Sequence, residues 1–457
     1  MNFNKNTFAN IVILIIFAIG IYFRATWYGD LRLSIANAET DSYINSSRSS
    51  IFSWKIFAGQ RLFTTNLIYK FANDSANCPI TSFGKPGIGE ESNREIQPCF
   101  DKIALLQNIL AIFGWCFLGW MLARWLKHPF IKIMAATLVM LFGFTPQIAE
   151  WDSVLSPESL SLSMLAILVG LGLEVTLRAA KTNEPFKTKP DIILFTVFIL
   201  WYLLWVFVRD VHLYSIPITV VLTLSLFFFK KFRASKPLYI ALAVLTLFFI
   251  VGYSSARDSL RATRYPLMNS LDAYIWPYPT RVEFFRAYGM PDKEAPSYFD
   301  SPKYQAWADE HAPKAYAIFL ISHPGFVVTT LWNDMEQLTG EYTQPYFFTN
   351  EVKNREALLV IGEMVNPDSG VVYLFTLILA LTFMVQALTT RNATLSAWAW
   401  LAVWAYGVAA ATLFISYFGD TAGLRRHIMP SVEMFRLYIW VFLLPFLDLS
   451  FDEKRND

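Results

Sequence analysis

The sequence is poor in charge. Asp, Glu, Lys and Arg make up 16% of its 457 residues, while hydrophobic residues reach 55%. Soluble domains carry roughly a quarter charged residues, so a disordered chain, a coiled coil and an ordinary soluble enzyme are excluded. Net charge is also small: 38 Lys and Arg against 36 Asp and Glu leave +2. No Lys/Arg cluster is interleaved with aromatics on a polar segment, so the partners include no nucleic acid. Cysteine is scarce, with three residues and no CxxC pair, which excludes a zinc ribbon or thioredoxin-like site. No GxxxxGK[ST] loop, internal repeat, low-complexity stretch or soluble C-terminal domain is found.

What is present is long apolar runs. Mean hydropathy is +0.38, with 40 Phe, 21 Tyr and 15 Trp. A bilayer core needs about 20 apolar residues per helix. Ten candidate spans lie near 8–23, 103–126, 132–148, 160–179, 191–208, 212–229, 237–253, 371–389, 394–418 and 428–447. The first reads as a retained signal anchor, because bulky Ile21-Tyr22-Phe23-Arg24 offers no small-x-small cleavage site.

Lys and Arg in the short loops set the orientation. Arg124, Lys127 and Lys132, then Lys181, Lys187 and Lys189, then Lys230, Lys231, Arg233 and Lys236, then Arg391, and finally Lys454 and Arg455 all fall on one side. The expected fold is therefore an all-α polytopic membrane protein of about ten transmembrane helices, in the cytoplasmic (inner) membrane, with both termini cytoplasmic. It divides into an N-terminal module at 1–253 (spans one to seven, with outer loop 24–102), a long extracytoplasmic loop at 254–370, and a C-terminal module at 371–457 (spans eight to ten). The chemistry is then expected on the extracytoplasmic face. Cys78 and Cys99 share the first outer loop, where a disulfide is permitted, the alternative being two unrelated thiols; Cys116 lies inside a span and reads as a small packing residue. Almost no ionisable residue is expected mid-span, which speaks against an ion path.

Four polar motifs cluster at the outer ends of spans. Glu39-Thr40-Asp41 follows span one; two carboxylates at this spacing can hold a divalent cation such as Mg or Mn, and one can take a proton from a hydroxyl. The bland alternative is a helix start with Asp41 as cap. The stretch 60–72 reads as an amphipathic interface helix, with Arg61 facing headgroups or a phosphate, or simply snorkelling. Glu150-Trp151-Asp152 and Ser156-Pro157-Glu158 place three acids in one short loop, either as a shared site with Asp41 or as loop polarity and helix capping. Arg209-Asp210-Val211-His212 offers a guanidinium and an imidazole for a lipid phosphate, or an interfacial ion pair. Arg425-Arg426-His427 opens the last span, where cations outside call for an anion: a phosphate, or Asp420. In the long loop, RVEFFRAYGMP and YQAWADEHAPKAYAIFLISHPGFV read as amphipathic helices. Trp276, Tyr278, Phe284, Phe285 and Tyr288 there line either a ligand groove or the loop's own core.

The acidic motif after span one, the acidic loop before span four, and the SPESLSLSMLA, FFRAYGMP, SHPG and GLRRHIMP segments resemble the GT-C superfamily, in an uncharacterised bacterial branch. These are polytopic glycosyltransferases that use polyprenyl-phosphate-linked sugars. The resemblance implies an inverting transfer from such a donor to an extracytoplasmic hydroxyl on a glycan or lipid acceptor, with membrane lipids around it. It implies that Asp41 is base or metal ligand with Glu39 beside it, that Glu150 and Asp152 bind metal or acceptor, and that Arg209, Arg425 and Arg426 neutralise the departing phosphate. Burial near apolar surface is expected to raise the pKa of Asp41. ExD in place of DxD leaves metal dependence open, and the lack of a large C-terminal domain speaks against an oligosaccharyltransferase. The alternatives are a lipid-linked glycan flippase or polymerase, and a non-catalytic envelope-assembly subunit.

Overall fold

The structure, a computed structural model, describes residues 5–37, 39–72, 78, 97–261, 263–292, 301–340, 343–346 and 352–453. Lys454 and Arg455 of the expected cytoplasmic tail lie outside the described residues. Among these residues there is no strand, only an isolated parallel bridge between Ile35 and Val154. Among the described residues nine helices are long and apolar enough to cross a membrane: Lys5–Trp27, Asp101–Trp125, Pro157–Lys181, Lys189–Val206, Asp210–Phe228, Lys236–Asp258, Val371–Thr390, Ala393–Gly419 and Leu424–Phe451. They coincide with nine of the ten expected spans.

The tenth, expected as continuous over 132–148, is broken. Pro129–Phe144 and Pro146–Ser153 meet at 50°. Pro146 has no amide proton to continue the ladder, and it holds Thr145 extended, at φ −82° and ψ 158°. A second bent pair, Ala312–Ser322 and Pro324–Asn333, meets at 85° across His323-Pro324. The sequence reads this segment only as amphipathic; it is apolar enough to count as a span or re-entrant loop, giving up to eleven among the described residues.

Pro157–Lys181 is the central helix, buried along nearly all its length. It packs against Asp101–Trp125, where Gly114 permits close approach: a Cβ there would lie 2.6 Å from the Ser163 carbonyl oxygen. Peripheral helices turn large apolar side chains outward, among them Leu14, Ile193, Ile240, Leu374 and Leu388, a surface suited to lipid rather than water.

Side-chain and backbone bonds join the segments read as outer. Arg24 reaches Asp152, Ile35 pairs with Ser153 and Leu155, Arg261 bonds Asp210 and the Gly59 carbonyl, and Asn269 bonds Asp420. The opposite end is tied by Asp448, which accepts from the Lys127 and His128 amides, and by Arg124 and Arg178 on Glu174. In the first outer loop, Thr40–Ser47, Trp54–Ala58 and Phe63–Ala72 are short helices, and Cys78 is joined to Cys99. The long loop buries Ile275, Phe285, Trp307 and Phe319 against Tyr417 and Phe418, with Trp276 and Phe284 packed on this local core, while Tyr278 and Tyr288 stay exposed.

One expectation fails inside the last helix. Glu433 and Arg436 are both buried there. Arg436 donates to Glu433 at 2.5 Å, to the Thr339 carbonyl at 2.6 Å and to the Pro367 carbonyl at 3.0 Å. A charge this deep persists only when paired, and its partners include backbone far away in sequence.

Candidate functional site

The central helix begins at Ser156-Pro157-Glu158. Pro157 sits at its first position, where no amide donor is needed, and Glu158 lies in the first turn, where the helix dipole favours an anion. The Glu158 side chain is 1% exposed, so it needs cations. Arg209 Nη1 lies 3.6 Å and Arg426 Nε 3.8 Å from Oε1. Both are ion-pair distances without hydrogen bonds, and Glu158 Oε2 and Arg209 Nη1 have no hydrogen-bond partner.

Glu39 is the second anion. It pairs with Arg426 and lies 3.2 Å from Arg61 Nη2. Burial alone would raise its carboxyl, but Arg426 and Arg61 outweigh that and hold it at about 2. Arg61 is braced by Ser42 Oγ at 2.7 Å and Tyr43 Oη at 3.1 Å, and its guanidinium lies over the Tyr43 ring at 4.1 Å. His427 extends the cluster: Nε2 is 3.2 Å from Arg426 Nη2, and Nδ1 is 3.7 Å from Asp420. Burial pushes the Asp420 carboxyl up. Burial pushes the Tyr346 phenol up, and the positive charge of Arg426 works against that rise.

Arg61, Arg209, Arg426 and His427, four of the residues read as phosphate-binding, thus converge. The two acidic loops do come together, but through Glu39 and Glu158. Asp41 is exposed, bonded at 2.6 Å to Asn45 Nδ2, so the expected burial does not occur. Nor is Asp41 the cap: Glu39 precedes the helix, and makes no capping bond.

The other candidates lie elsewhere. Asp152 accepts from Arg24 at 2.9 Å and from Ser159 at 2.5 Å, with Arg24 and Asp152 each 2% exposed. Glu150 takes both arms of Arg355, at 2.5 and 3.0 Å, and Gln344 at 3.2 Å. Each is consumed by its own partner, so neither forms a shared metal or acceptor site with Asp41. His212 is fully buried, stacked on Trp205 at 4.1 Å and bonded to the Trp205 carbonyl; it has no face open to a ligand. Arg425 is exposed beside Gly340, outside the cluster.

The solved structures that align with this chain include two oligosaccharyltransferases. An Archaeoglobus fulgidus oligosaccharyltransferase, tethered to an acceptor peptide containing the NVT sequon, is 12% identical over 94% of this chain and 49% of its own, with TM-score 0.41. Oligosaccharyltransferase AglB from Archaeoglobus fulgidus, in complex with an inhibitory peptide and a dolichol-phosphate, is 13% identical over 100% of this chain and 52% of its own, with TM-score 0.44. The chain spans about half the length of each. No family model matches it, and no curated protein does.

A divalent cation does not fit the cluster. Among the described residues no three His, Cys, Asp or Glu side chains group to hold one. The carboxylates that are close, Glu39 and Glu158, already face guanidiniums, which repel a cation and attract an anion. Sequence reading missed Arg24, Tyr43, Tyr346 and Arg355. Arg24 carried a signal: a cation ending the first span on the face where cations are otherwise rare.

Proposed function

We propose that this chain is a membrane glycosyltransferase of the GT-C kind, moving a sugar from a polyprenyl-phosphate donor to a hydroxyl at the outer membrane face. The observation that carries the reading is the convergence of Arg61, Arg209, Arg426 and His427, brought from three segments to the ends of apolar helices. Such a cluster suits a lipid phosphate, and Arg offers it paired donors.

In this reading the donor phosphate takes Arg426 and Arg209 from Glu39 and Glu158. Asp41, exposed, two residues after Glu39 and next to Ser42, accepts the acceptor proton as the hydroxyl oxygen bonds the anomeric carbon. The bond from that carbon to the phosphate oxygen breaks with inversion, and polyprenyl phosphate leaves as an anion beside the arginines, needing no strong general acid. No step runs through a metal.

The test incubates purified wild type and Asp41→Asn with a panel of polyprenyl-phosphate sugars, with chelator and with added Mg or Mn. Polyprenyl phosphate should be released from at least one donor by wild type, chelator notwithstanding, and not by the variant. A wild type that neither releases nor binds any of them would move the chain to the flippase or assembly-subunit reading.

A further inference from the structure

The bent pair Ala312–Ser322 and Pro324–Asn333 differs in composition from the rest of its loop. Between Lys314 and Asp334 the chain carries no Asp, Glu, Lys or Arg. Length limits how far the pair can reach. Arms of 11 and 10 residues, bent by 85°, extend about 23 Å end to end at 1.5 Å per residue, short of the roughly 30 Å of a bilayer core. Its tethers fix where it ends. On the first arm Tyr316 Oη donates to the Phe418 carbonyl at 2.9 Å. On the second, the Thr330 carbonyl and the Asp334 carboxylate both accept from Tyr417 Oη. Phe326 packs on Phe418 with ring centroids 6.1 Å apart. Both arms therefore hang from one point, the last turn of the helix Ala393–Gly419. A crossing segment would be tied to opposite ends of its neighbours.

Around the bend, polar groups are spent inside the segment. Pro324 brings no amide proton, the His323 amide donates to the Phe319 carbonyl at 3.0 Å, and Ser322 Oγ donates to the Ile318 carbonyl at 2.7 Å. Lipid demands this and water does not. The face turned away from Phe418 is apolar: Ile321, Val328 and Trp332 are 81, 65 and 74% exposed. Nothing lies within 4 Å of a Cβ placed on Gly325. Gly325, Val328 and Trp332 recur at helical spacing, one stripe of the second arm. Just beyond that arm, the Leu338 carbonyl accepts from Tyr373 Oη, on the spanning helix whose Val371 and Leu374 also face outward. The geometry points to a re-entrant wedge. The pair dips into one leaflet and leaves on the side it entered, with Ile321 and Val328 against lipid acyl chains and Trp332 at interface depth. Asp420, two residues past Phe418, meets His427 at 3.7 Å, so that leaflet is the one bordering the arginine cluster. The inference rests on the fold and not on the proposed sugar transfer.

Single cysteines in a Cys116→Ser background, with the Cys78–Cys99 disulfide left closed, carry the test. In phosphatidylcholine vesicles, bimane on Val328→Cys should lose emission to phospholipid bearing a nitroxide on its acyl chain and keep it against iodide. Bimane on Glu310→Cys, exposed before the first arm, should do the reverse. In sealed membrane vesicles an impermeant maleimide should reach Glu310→Cys and Glu336→Cys from one side and Thr390→Cys from the other. Quenching of Val328→Cys by iodide and not by the lipid nitroxide would put the stripe in water and overturn the inference. Protection from both would assign it to a protein partner or a second copy, and overturn it too. Labelling of Glu310→Cys and Glu336→Cys from opposite sides would make the pair a crossing, with the same consequence. Val328 is exposed, so its variant should fold; Ile321→Cys repeats the quenching test beside the bend.

Discussion

Replacing Arg24 by Met should show what Asp152 is for. Arg24 Nη2 donates to Asn108 Oδ1 at 2.5 Å, to the Ala149 carbonyl at 2.8 Å and to Asp152 at 2.9 Å, all in a site 2% exposed. Met keeps much of the side-chain volume but strands the Asp152 charge, a loss of about 3–5 kcal/mol for a buried pair broken on one side. Adding Asp152→Asn removes the stranded charge while leaving an oxygen for Ser159. Two acceptors then remain unserved, at about 1 kcal/mol each, so the double variant should sit about 2 kcal/mol below wild type. Equilibrium unfolding in mixed detergent micelles reads these differences. An Arg24→Met protein as stable as wild type would refute the argument. So would an Asp152→Asn protein of normal stability whose lost activity returned with excess Mg or Mn, because that is the behaviour of a metal ligand and not of a structural ion pair.

Glu39 predicts a pH window. Its carboxyl lies at about 2 when folded against an ordinary 4.5, so its stabilisation is full above 4.5 and is lost as pH falls towards 2. The gap in unfolding midpoint between wild type and Glu39→Gln should be constant from pH 5 to 8 and shrink below 4.5; a gap that changes across neutrality would assign the titration to another group. His212→Phe keeps the stack on Trp205 and should change undecaprenyl phosphate affinity by no more than about twofold. A large loss in a titration of the folded variant would return the imidazole to the anion site.

The helices were legible because hydropathy alone writes them, and the broken third span was written too, in Thr145-Pro146. The cations were legible because Arg426 and His427 stand where basic residues are scarce. Which acids face the arginines was not legible, for a reason present in the sequence. In Thr40–Ser47 the buried positions are Thr40, Tyr43, Ile44 and Ser47, a helical period that turns Asp41 and Asn45 outward. Phase along that helix, not the ExD spacing, decides which acid faces the arginines. The loop 150–152 is a tight 3-10 turn, so its two acids splay to partners at Arg24 and Arg355. Those partners lie more than a hundred residues away in the chain, and no local pattern announces them.

The bridge between the first and second outer segments consists of backbone bonds: Ile35 donates to Ser153 at 2.8 Å, and Leu155 donates to Ile35 at 2.7 Å. No side-chain substitution can delete those atoms. From that fixed point the chain counts four residues to Glu39 and three to Glu158, so the bridge acts as the zero of a ruler. One residue inserted after Pro157 would turn Glu158 by about 100° around its helix, away from Arg209 and Arg426, with every side chain unchanged. The quantity under constraint here is a length, and tolerance to insertion should fall sharply across Ile35–Glu39 and Leu155–Glu158 even where tolerance to substitution is broad.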